Sequence, residues 1–110
     1  MSAVQGYHAH VYFDAQTIEQ ARALCESVAA KFGIRMGRVH ERPVGPHPEW
    51  SCQLVFEHAK FADVMLYLAL NRNGLVIFTH PDTGDDLADH TEHAIWMGGM
   101  RELHVGMFKK

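Results

Sequence analysis

The sequence predicts an α+β domain of order βαββαβ, and three observations carry that expectation. Two amphipathic helical stretches each lie between strand-like runs, the first strand has one uniformly apolar face, and 110 residues suffice for one domain, residues 1–110, with a modest core. In "YHAHVYF", residues 7–13, Tyr7, Ala9, Val11 and Phe13 alternate with His8, His10 and Tyr12; a period of two is that of a strand with two distinct faces. Thr17, with Gln20 three residues on, reads as a capping box. Ile18, Ala21, Leu24, Cys25, Val28 and Phe32 then recur at helical spacing until Gly33 supplies the stop. A second strand is expected at about 34–40. "ERPVGPHPEW" holds three prolines and a glycine, which exclude a central strand and predict a stiff loop. Cys52, Leu54 and Phe56 mark a third strand in "SCQLVFE", and Phe61, Val64, Met65 and Leu68 a second helix closed by "NRNG" at Gly74. "LVIFTH" gives a fourth strand ending at His80. A C-terminal extension completes the chain: a short capped helix starting near Thr83, and a fifth strand in "RELHVGMF", where Leu103, Val105 and Met107 alternate.

This order is the ferredoxin-like one, an α+β sandwich with an antiparallel sheet of spatial order 4-1-3-2. Both helices must cover the face of Tyr7, Ala9, Val11 and Phe13, so His8 and His10 point the other way, from the middle of the sheet. The end of the fourth strand lies beside the start of the first, which brings His80 to His8. The proline loop lies beyond the other end, so His47 folds back over His10. The fourth strand is apolar on both faces, with Val76 and Phe78 opposed to Leu75 and Ile77. Its open face therefore needs a cover, from the C-terminal segment, the helix near residue 90 or a second subunit. A homodimer is the expectation.

Net charge is −3 with histidine neutral, so there is no basic field for nucleic acid or an anionic membrane. No run approaches the ~18 apolar residues of a membrane span, and "MSAVQGYHAH" has no basic segment leading into an apolar one; a cytoplasmic protein is expected. Cys25 and Cys52 have no CxxC spacing and read as two buried thiols. The unusual feature is nine histidines.

Neutral imidazole is the commonest metal ligand. An HxH pair on a strand sets two rings on one face about 6.5–7 Å apart at Cα. Alone, such a pair describes a solvated polar face as well as a metal site. Convergence separates the two readings: His8, His10, His80 and the proline-framed His47 all come to one side of the expected sheet, and "GPHP" restrains the backbone around His47. His90 and His93 are one helical turn apart, each four residues after an aspartate, Asp86 and Asp89. They form a second ligand pair, a supporting shell in which carboxylate orients imidazole, or a solvated face. His40, His58 and His104 have no partner at a telling spacing. Glu57 or Asp82 would complete a two-histidine, one-carboxylate face of the kind used by non-haem Fe(II) oxygenases; an all-histidine set fits equally. Trp50 and Trp96 read as packing residues.

"YHAHVYF", "VGPHP" and "THPDTGDDLADHTEHAIWMG", in that order and spacing, resemble the DOPA 4,5-dioxygenase family of fungal and bacterial extradiol dioxygenases. The resemblance covers most of residues 6–98, and "HPDTGDDLADH" is its most specific stretch. It implies a compact ferredoxin-like subunit that opens a catechol such as L-DOPA with O2. Fe(II) is the implied metal, with zinc or another divalent ion as an occupant of purified samples. The positions it carries over are His8, His10, His47 and His80 as metal-site candidates. Proton transfer falls to whichever of His8, His47 or His90 is not a ligand. Two other classes fit the same residues: a non-catalytic metal-binding or dimerisation module, and a metal-dependent hydrolase that activates water at the same ligands.

Overall fold

The structure is a computed structural model and describes residues 4–109. Its organising element is β1 (Tyr7–Phe13), whose alternation lets it hydrogen-bond on both edges while burying a different set of side chains on each face. β1 pairs antiparallel with β3 (Trp50–Phe56) along its whole length and with β4 (Ile77–Pro81) on its other side. β2 (Arg35–His40) joins β3, and β5 (Ile95–Met97) joins β4, all antiparallel. The result is an α+β fold on a five-stranded sheet of order β2-β3-β1-β4-β5. The expected order 4-1-3-2 covers four of these five strands, and β5 adds the fifth on the flank of β4 that the four-stranded scheme leaves open.

Helices α1 (Ile18–Phe32) and α2 (Phe61–Asn71) lie on one face. Ala9, Val11 and Phe13 of β1 pack there with Ala21, Leu24, Cys25 and Val28 of α1 and Val64 and Leu68 of α2, all buried. Gly33 closes α1 in the left-handed region, φ 64°, with its N–H on the Ala29 carbonyl, a conformation that costs glycine little. The capping box at Thr17 does not form: the side chain makes no cap bond to the helix and pairs instead with Asp14, whose carboxylate accepts from the N–H groups of Gln16 and Thr17. Gln20 turns away to the Asn73 carbonyl. Cys25 and Cys52 are free and buried in this core.

The other face is covered by the chain itself. Tyr12, Val76 and Phe78 pack with Ala94, Trp96 and Leu103, and Trp96 stacks on Phe78 at 4.7 Å between ring centroids. The C-terminal expectations need two corrections. The helix α3 is a single turn, Asp86–Asp89, capped by Asp85 rather than Thr83, because the Asp85 carboxylate reaches the Ala88 N–H while Thr83 is held by Asp89. The fifth strand is Ile95–Met97, which sets Trp96 opposite Phe78. "RELHVGMF" has no free edge beside β4 to join, and Val105–Phe108 form a 3-10 turn. Strand β4 starts at Ile77, with Leu75 and Val76 buried just before it. Among the described residues no helix is long and apolar enough to cross a membrane.

Leu54 is fully buried at the centre of β3, where a truncated side chain leaves a hole that rigid sheet neighbours cannot fill. Leu54→Ala is expected to cost about 2–5 kcal/mol in urea unfolding.

Candidate functional site

The pairing of β1 with β4 sets His8 directly opposite His80, so their side chains share the face away from α1 and α2. His10 lies two residues along the same face. One ligand atom from each of His8, His10 and His80 lies within 4.8 Å of the other two, close enough to share one metal ion. The hydrogen bonds assign tautomers. His80 Nδ1 donates to the Pro81 carbonyl at 2.9 Å, which leaves its Nε2 as a lone pair. That Nε2 sits 3.2 Å from His10 Nε2, so in the metal-free chain His10 donates its Nε2 proton to His80. A metal would replace this proton, with His10 moving its hydrogen to Nδ1.

His47 comes over the site as expected, its ring 4.1 Å from that of His10, but outside the converging group of three. Its Nδ1 lies 2.8 Å from the hydroxyl of Tyr12, a buried residue with no other acceptor for its proton among the described residues. Tyr12 must therefore donate, which puts the imidazole proton of His47 on Nε2. In that tautomer His47 presents an N–H donor at Nε2. Burial pushes the Tyr12 phenol up and keeps it neutral. Tyr12 was visible in the sequence only as the third member of the histidine face; the signal for its role was its register, two residues from His10.

His90 also reaches the cluster. Its ring lies 4.2 Å from His80 on one side and stacks on Phe108 at 4.5 Å on the other. His90 Nδ1 donates to the Asp86 carbonyl at 2.6 Å, leaving Nε2 bare. The turn carrying it is fixed by buried Asp89, which accepts from the Thr83 N–H and hydroxyl at 2.9 and 2.6 Å. His93 is exposed, and His90 and His93 do not form a ligand pair. Neither Glu57 nor Asp82 belongs to the converging group, although Asp82 acts on His8 electrostatically. His40, without a partner by spacing, lines a cavity of about 180 Å³ with His10, His47, Gly37, Ser51 and Gln53.

His8, His10, His47 and His80 are each shifted toward the neutral form. Burial brings His47 and His80 down to about 4, with nearby histidines adding to the effect. Burial also lowers His10, with His47, His80 and His8 adding to the effect, and lowers His8 against the opposing pull of Asp82. Three imidazole nitrogen donors shifted toward the neutral form suit a divalent metal of intermediate softness.

The model of the Dopa 4,5-dioxygenase family matches residues 7–107, and so takes in every residue of this cluster. The chain belongs to the Dopa 4,5-dioxygenase family. Within it, a DOPA 4,5-dioxygenase of Amanita muscaria is 32% identical over 113 aligned residues, covering 94% of this chain and 50% of that protein. An uncharacterised 21.2 kDa protein of Botryotinia fuckeliana is 32% identical over 122 residues, 99% of this chain and 67% of its own length. The chain thus spans about half of the Amanita relative. A crystal structure of a candidate dioxygenase from Nostoc punctiforme superposes with a TM-score of 0.92 at 40% identity, over 96% of this chain and 91% of that one. Family and neighbour together support a dioxygenase-like function, and the three-histidine group fits the metal such chemistry needs.

The depressed values predict an acid-sensitive fold. The unfolded chain binds protons on these histidines near pH 6.5, while His47 and His80 in the folded chain do so only near 4. Stability of the metal-free protein is therefore full above about pH 6.5 and falls as the pH drops through the window down to about 4, by a few kcal/mol in total. Urea midpoints measured across that range are the check, and a flat profile would contradict it.

Proposed function

We propose that this chain is an extradiol dioxygenase that opens a catechol ring with O2, using a metal on His8, His10 and His80. The observation that carries the reading is the convergence of those three imidazoles beside a small polar cavity, in a member of this family. When bound, a divalent metal, Fe(II) by expectation, supplies the Lewis acidity that favours catechol deprotonation and a path for ring electrons to O2. The chain's own groups do the rest. The cavity's floor is Gln53 and Gly37, whose missing side chain leaves room for a planar ring between His10, His47 and His40. His90, with a bare Nε2, is the group to accept a catechol proton. His47, with its hydrogen on Nε2, is the group to return one as the ring opens, and Tyr12 orients it. Overall, the ring bond beside one hydroxyl-bearing carbon breaks, and both atoms of O2 enter the semialdehyde acid product. Trp96 and Phe78 keep the β4 side of this arrangement dry. The same three ligands would also serve a hydrolase, which would consume no oxygen.

The decisive experiment loads the protein with Fe(II) anaerobically, adds a catechol, and follows oxygen uptake and the yellow colour of the cleavage product. Absence of iron-dependent uptake with every catechol tried would overturn the reading. His10→Ala should lose stoichiometric metal in elemental analysis. Tyr12→Phe keeps the ring but removes the donor to His47, so it should retain metal and KM while kcat falls about tenfold or more.

A further inference from the structure

The sheet face away from α1 and α2 carries its side chains in rows. Arg35, Val55, His8 and His80 are successive partners across β2, β3, β1 and β4 and form one row. Gln53, His10 and Phe78 form the next, with Gly37 against Gln53. Strands are about 4.8 Å apart and rows about 7 Å apart along them. The His10 row floors the cavity beside His47. The His8 row opens into a second and larger cleft of about 630 Å³, lined by Arg35, Val55, Glu57, Lys60 and Asp82. The two spaces are therefore neighbours along β3, one row apart.

This cleft has a polarity. At its β2 end stand Arg35 and Lys60; the Lys60 ammonium is tied to the Phe32 carbonyl at 2.6 Å. Arg35 is exposed, and its guanidinium makes no hydrogen bond or ion pair among the described residues. At the β4 end, beyond His8, stands Asp82. Glu57, just past the end of β3, and Asp82 repel an anionic group in the cleft, and Arg35 is the free cation among the described residues that draws it to the β2 end.

We propose that the Arg35 end of this cleft is a carboxylate subsite, and that Arg35 is the specificity-determining residue selecting ring substrates with an acidic side chain of two or three atoms' reach. The inference rests on the reading that the ring lies over Gly37 and Gln53. A ring there, substituted on the side away from its hydroxyls, sends its chain one row along β3, and a carboxylate at that distance meets the guanidinium fork. Arginine presents paired donors that match a carboxylate in geometry as well as charge. Tails without an anion gain nothing there, and a cationic tail is opposed.

The test compares wild type with Arg35→Gln and Arg35→Lys, using dihydrocaffeic acid, methylcatechol and dopamine as probes. Binding to the metal-free protein is measured by equilibrium dialysis, and oxygen uptake by the iron-loaded protein separately. Wild type should bind dihydrocaffeic acid about tenfold more tightly than methylcatechol and dopamine no better than methylcatechol. Arg35→Gln should abolish the preference, and Arg35→Lys should keep part of it. Because Arg35 is exposed, circular dichroism of both variants should match wild type. Equal binding of the three probes by wild type, or a preference that survives in Arg35→Gln, overturns the subsite. Oxygen uptake that ignores both tail and variant overturns it too, while leaving the ring-cleavage reading standing. A preference that collapses in Arg35→Gln, without oxygen uptake from any probe, keeps the subsite and removes the ring-cleavage reading.

Discussion

The geometry of the site depends on β1 being hydrogen-bonded along both edges. A strand pinned between β3 and β4 cannot twist or slide without breaking two ladders, and a slip of one residue would exchange its faces. With Ala9, Val11 and Phe13 committed to the helices, His8, His10 and Tyr12 have only one place to be. The imidazoles are thus placed by the hydrophobic core, on rigid backbone, before any metal is present. That is the arrangement in which a ligand set loses least entropy on binding.

A second layer of constraint sets the protons. Three backbone or side-chain partners decide three imidazoles: Pro81 for His80, Asp86 for His90 and Tyr12 for His47. The first two are carbonyls, which accept and leave Nε2 bare; the third is a phenol, which donates and leaves Nε2 protonated. Rings of one residue type, within a few ångströms of one another, are thereby differentiated: two carry a bare Nε2 and one an Nε2 proton. The division would be lost if every ring were exposed, since solvent would interconvert the tautomers freely.

Much of this was legible in the residues, for a physical reason. The alternation in "YHAHVYF" reports two faces of a strand, and helix-spaced Ala21, Leu24, Cys25 and Val28 report which face is covered, so the side of the sheet carrying His8, His10 and His80 could be read. The illegible parts are those where local pattern competes with tertiary demand. Thr17 and Gln20 matched a capping box, yet Asp14 lay near enough to take Thr17. Leu103, Val105 and Met107 alternated like a strand, yet Ile95–Met97 had already filled the flank of β4. The contact of His47 with Tyr12 spans 35 residues of sequence, which no spacing rule reports.

The sheet's two outer strands carry a consequence for how copies of the chain can meet. An exposed, regular strand invites a neighbour to extend the sheet. Here β5 offers only three residues, ending at Gly98 and Gly99 with φ 81° and 148°, and β2 is interrupted by a register shift between Met36 and Val39, with Arg35 and Arg38 exposed on it. Both borders are poor templates for strand addition, one too short and the other bent and cationic. Self-association through a continuous sheet is disfavoured from either side, and the rows of histidines lie at the interior of the sheet, on β1 and β4, away from both borders.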